Sequence, residues 1–113
     1  NIGENLKLSL QKMAAVLKHN ENIIIFPEGT RTKTGKVGSF KKAFAILSKE
    51  LNTPIVPVAI SGAYRALPPG SHLPNFKTKI TVSFLSPVYP ENKNPEDLTG
   101  IVREKIINRL QSI

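Results

Sequence analysis

No cysteine and no tryptophan occur in this chain. The missing cysteine excludes disulfides and thiolate metal sites, and it fits a reducing compartment. Aromatics are few: five phenylalanines and two tyrosines. Most fall on core stripes and none is interleaved with basic residues, which argues against a base-stacking platform for nucleic acid. Acid is scarce too. Eight Asp and Glu stand against sixteen Lys and Arg, a formal net charge of +8. Such a chain attracts anions: phospholipid surfaces, phosphorylated small molecules, acidic carrier proteins or nucleic acid. No apolar run approaches the length of a bilayer span. Walker spacing is absent, which ranks a kinase or phosphatase fragment last. Gly-x-Ser-x-Gly is absent, so no serine is marked as a nucleophile. The opening residues Asn1-Ile2-Gly3-Glu4 include no initiator Met and do not resemble a signal peptide. The expectation is a piece of a longer chain.

What is present suits a folded chain. Apolar residues make up 40% of 113 positions, enough for one small domain over 1–113 with a modest core. Residues 4–18 place Leu6, Leu10, Met13 and Leu17 at helical spacing, with lysines off that stripe. His19 to Asn22 is a polar break. Residues 22–27 are apolar without alternation, as in a strand covered on both faces. A loop over 28–39 leads to a helix over 40–51 with Phe40, Ala43, Phe44, Leu47 and Leu51 on one stripe. A strand over 55–60 follows, so strand, helix and strand read as one βαβ unit. Pro57 lies inside that second strand and requires an edge or a bulge there. Residues 61–78 form a long loop of the functional or capping kind. Residues 79–85 alternate, with Ile80, Val82 and Phe84 expected inward and Thr81 and Ser83 outward. After a turn over 86–94, Asn94 caps a last helix whose stripe is Leu98, Val102, Ile106 and Leu110. The fold class is α/β: one βαβ unit plus a further strand, flanked by N- and C-terminal amphipathic helices.

The stretch Phe26-Pro27-Glu28-Gly29-Thr30-Arg31 carries the chemistry. It breaks out of the apolar run and offers a carboxylate, a glycine, a hydroxyl and a guanidinium in succession. Polar loops at strand ends are where open α/β sheets place ligands. Gly29 lets backbone approach a ligand, and Arg31 can fork onto two phosphate oxygens. Lys33, Lys36, Lys41 and Lys42 add positive field. The local reading is an oxyanion site of phosphate type. The plain alternatives are a surface ion pair of Glu28 with Arg31, lysines serving solubility, and a strand-edge role for Pro57.

Phe26 to Arg31, followed by Ile55-Val56-Pro57-Val58-Ala59-Ile60, resembles the glycerolipid acyltransferases, and more closely the 1-acylglycerol-3-phosphate O-acyltransferase family. The two stretches match that family's third and fourth blocks, and the similarity extends from about Asn1 to the C-terminus. The family's catalytic His, with an Asp five positions on, has no counterpart. His19 is followed at that spacing by Ile24, and His72 by Lys77. The second family block is absent as well.

The resemblance implies a partial glycerolipid-acyltransferase domain, the C-terminal part of a phospholipid-synthesis enzyme. It puts Glu28, Gly29 and Arg31 in acceptor binding, with Thr30 assisting, and places Pro57 near the acyl or acceptor pocket. The implied acceptor is lysophosphatidic acid or another lysophospholipid. The implied donor is acyl-CoA or acyl carrier protein, with no metal and no further cofactor. Attachment to the cytoplasmic face of a membrane is expected, peripheral or tethered through upstream sequence. The 113 residues alone are expected to be inactive and to expose apolar surface that risks self-association. The alternative is a non-catalytic phosphate- or lipid-binding module.

Overall fold

The computed structural model describes residues 2–30 and 32–113. Helix α1 (Ile2–Lys18) opens the chain and packs on α2 (Ala43–Leu51). The C-terminal part of its stripe, from Leu10 through Met13 to Leu17, is half-buried, whereas Leu6 is exposed. Asn20 adopts a left-handed conformation just past the helix, and the N–H groups of His19 and Glu21 return to the Val16 carbonyl. Helix α2 ends in the same way at Asn52. Helix α4 (Pro95–Ser112) begins as its sequence dictates. The Asn94 side chain accepts from the Asp97 N–H at 2.7 Å, with Pro95 in the first turn.

The core lies between α2 and α4. Phe44, Ala45, Val88, Leu98 and Val102 are buried together, with Ile25, Phe40, Ile55, Ile101 and Ile106 packed around them. Phe40 and Phe44 meet edge to face at 6.3 Å. Burial along the α4 stripe fades from Leu98, fully enclosed, to Leu110, half-exposed.

Two strands, β1 (Val58–Ser61) and β2 (Thr81–Phe84), form an antiparallel ladder that pairs Val58 with Phe84 and Ile60 with Val82. Ile55 bridges Val88 further along. Between ladder and bridge, residues 56–57 face residues 85–87, so the register slips by one at Pro57. The extra residue is in 85–87, on the side opposite Pro57, and Pro57 itself lies just outside the ladder. The long loop after β1 contains a single helical turn, α3 (Ala63–Ala66).

The class is the one expected, α/β with a helix at each end. Two details differ. Segment 22–27 joins no ladder, although Ile23 and Ile25 are half-buried while Ile24 and Phe26 are exposed, the period of a strand. Its order with α2 and β1 keeps the strand–helix–strand sequence, but its backbone meets no neighbouring strand among the described residues. The second difference is the sense of β2. Ile80, Val82 and Phe84 face solvent, and Thr81 and Ser83 are half-buried. The face toward α4 carries Ala59, Ser61, Thr81 and Ser83, and Arg109 Nε donates to Ser83 Oγ at 3.2 Å. The apolar face pairs Val58 and Ile60 with Phe84 and Val82, and nothing among the described residues covers it. Alternation fixes which residues share a face, while the side that is buried depends on what lies opposite.

Candidate functional site: the loop after Phe26

Pro27 begins the turn. Gly29 N–H closes it on the Phe26 carbonyl at 3.0 Å, with Gly29 at a φ of 73°. That conformation is strained for any residue with a β-carbon. Pro27 has no N–H to offer, but its carbonyl accepts the Lys41 N–H at 2.8 Å. The loop therefore starts and ends at one place, ahead of α2.

Three side chains hold the loop shut. Glu28 Oε2 accepts the Gly38 N–H at 2.9 Å. On the other side of the same residue, Arg103 of α4 donates from Nε to the Gly38 carbonyl at 2.9 Å and from Nη2 to the Val37 carbonyl at 3.1 Å. Tyr64 of α3 lies against Gly35 and donates its hydroxyl to the Lys33 carbonyl at 3.3 Å. Within the tip, Thr32 Oγ1 donates to the Lys36 carbonyl and accepts the Gly35 N–H. Removing one such partner from a loop typically costs about 1 kcal/mol.

The lysines divide. Lys42 Nζ is paired with Glu96 of α4 at 2.9 Å. Lys33 and Lys36 are exposed on the tip. Lys41 turns back over Gly29: a β-carbon built at Gly29 would lie 2.8 Å from Lys41 Nζ. Glu28 is the one acid between residues 28 and 42, and one of its oxygens is occupied in closing the loop.

The structure thus brings Glu28 and Gly29 into one turn, with Thr30 exposed beside them. Arg31 lies outside the described residues. Pro57 is buried beside the ladder, and its carbonyl accepts from Leu85 N–H at 2.9 Å. That hydrogen bond ties it to the strands rather than to the turn. His19 and His72 are both exposed. Sequence reasoning missed Arg103, which clamps the loop from 65 residues away and carries no local signal. Tyr64 was legible only as part of a capping loop.

The Acyltransferase family model matches residues 3–61, more than half of the chain, and the chain belongs to that family. A 1-acyl-sn-glycerol-3-phosphate acyltransferase of Cocos nucifera is 38% identical over 95 residues, which cover 83% of this chain and 30% of that protein. A chloroplastic 1-acyl-sn-glycerol-3-phosphate acyltransferase of Arabidopsis thaliana is 36% identical over 62 residues, 55% of this chain and 17% of that protein. The crystal structure of the 1-acyl-sn-glycerophosphate acyltransferase PlsC from Thermotoga maritima matches with a TM-score of 0.80 at 32% identity. That match covers 91% of this chain and 43% of that one. The chain spans less than half the length of each of these proteins.

Proposed function

We propose that this chain is the C-terminal, acceptor-phosphate-binding part of an enzyme that moves a fatty acyl group to lysophosphatidic acid or another lysophospholipid. The donor is acyl-CoA or acyl carrier protein. The observation that carries this reading is the closed cationic loop after Phe26 in a chain of the Acyltransferase family. The named activity of the coconut, Arabidopsis and Thermotoga relatives supports it.

In this reading Arg31 forks onto the acceptor phosphate, and Gly29 lets the turn come close. Thr30 adds a hydroxyl, Glu28 keeps the loop shut, and Pro57 shapes the neighbouring strand. These groups hold the acceptor hydroxyl in line with the donor carbonyl. The hydroxyl must lose a proton as it attacks the thioester, and the resulting oxyanion must be stabilised before the thiolate leaves. No His with an Asp five positions on is present to take that proton. In this reading the base is supplied by sequence outside these 113 residues. Association with the cytoplasmic face of a membrane belongs to the same proposal. No helix among the described residues is long and apolar enough to cross a membrane.

The test is acyl transfer from acyl-CoA to lysophosphatidic acid, by the protein at its natural length and by the 113-residue chain. The natural-length protein is expected to form phosphatidic acid and the short chain none. Transfer by the short chain would overturn the partial-domain reading. Inactivity at natural length would leave a phosphate- or lipid-binding module.

A further inference from the structure

We propose that Lys41, outside the Phe26–Arg31 motif, is a second cation for the acceptor phosphate and helps to select a phosphate monoester. The inference rests on the acceptor-binding reading above and deepens it. Lys41 is set apart from the other lysines by geometry, since charge alone does not distinguish them. Its backbone N–H is fixed to the Pro27 carbonyl at 2.8 Å, which sets where its side chain begins. The chain then folds back over the turn. A β-carbon at Gly29 would stand 2.8 Å from its Nζ and 3.1 Å from its Cε, so the missing side chain at 29 is the space the ammonium occupies. Among the described residues Lys41 Nζ has no hydrogen-bond or ion-pair partner, whereas its neighbour Lys42 is committed to Glu96. Glu28, the acid next to Gly29 in sequence, has an oxygen engaged at Gly38 N–H. An ammonium with no direct partner among the described residues thus lies over Gly29, which is next but one in sequence to Arg31.

If Arg31 binds the acceptor phosphate as proposed, Lys41 adds a second cation, and two cations match a dianionic monoester with three terminal oxygens better than a phosphodiester with one charge and two. The same chemistry occurs on lysophosphatidic acid, on free phosphate and on the ribose phosphate of coenzyme A. The experiment separates these sources.

The natural-length protein, K41Q, K41R and K77Q are titrated calorimetrically with hexanoyl-lysophosphatidic acid, with inorganic phosphate and with coenzyme A. K77Q removes the same charge from an exposed position in the long loop. K41Q is expected to weaken lysophosphatidate binding about tenfold and phosphate binding similarly. K41R should recover most of the loss. K77Q should change binding by less than about twofold, and coenzyme A binding should be unmoved in K41Q. Equal losses in K41Q and K77Q would reduce Lys41 to general field and overturn the inference. So would a loss confined to coenzyme A, which would move Lys41 to the donor side. Wild-type protein that binds no lysophosphatidate would overturn the acceptor reading itself, an outcome distinct from either.

Discussion

A β-carbon at Gly62 has no room. The residue sits at a φ of 92°, and an added carbon would run into the Lys79 carbonyl, a backbone group that cannot swing aside. Gly62→Ala is expected to lower stability by about 2–4 kcal/mol, combining left-handed strain with the clash. Urea denaturation followed by circular dichroism measures it, and an unchanged midpoint would contradict the close approach of β1 to the start of β2. Single residues also show how far the sequence could be read. The turn chemistry of Pro27 and Gly29 was legible, because proline lacks a donor and glycine tolerates positive φ. The fates of Lys41 and Lys42 were not. They are neighbours with the same chemistry, and one goes to Gly29 while the other goes to Glu96. A backbone bond from Lys41 to Pro27 and the approach of α4 decide between them, and both are tertiary events.

At the scale of elements, α2 and α4 are tied at their N-terminal ends by Lys42 and Glu96. The hydrogen bond from Lys42 holds the Glu96 carboxyl below its ordinary value, helped by a backbone hydrogen bond and by the Lys42 charge. A lowered folded-state pKa favours folding above the unfolded value, and the contribution disappears as pH falls through the folded value. Stability should therefore decline in that acid window more steeply in the wild type than in E96Q, which has no carboxyl to titrate there. Parallel pH slopes of the urea midpoint for the two proteins would show that the contact contributes nothing. Both partners are largely exposed, so the effect is small. The helices themselves were well signposted. Asn94, Pro95 and the Leu98–Val102 stripe marked α4 from sequence alone. The strands were harder. Ile80, Val82 and Phe84 announced one shared face, but the alternation carries no information on whether the chain itself covers that face.

The whole molecule carries more surface than its mass predicts. Its accessible area is 8415 Å², against about 6,100 Å² for a folded monomer of this mass. Its radius of gyration is 15.5 Å, against about 13 Å for a compact chain of this length. Large apolar side chains are among the exposed groups: Ile24 is 85% exposed, Phe26 72% and Phe84 76%. Chains with such surfaces associate. The isolated 113 residues should sediment as concentration-dependent oligomers, and F84S should shift them toward monomer. A sharp monomer at all concentrations would mean that these faces are covered in solution. At this scale the sequence was informative about class and family, because the Phe26–Arg31 and Ile55–Ile60 stretches are local. It was uninformative about the clamp of Arg103 on the loop, because that contact joins residues 65 apart.

The central claim is that the loop after Phe26 binds the acceptor phosphate of an acyl-transfer reaction. The acyl-transfer assay on the natural-length protein tests it most directly when run with R31Q beside the wild type. The account predicts phosphatidic acid formation in the wild type, with R31Q raising the acceptor KM by roughly tenfold or more and leaving the donor KM in place. An unchanged acceptor KM in R31Q, or a loss confined to the donor, would contradict it.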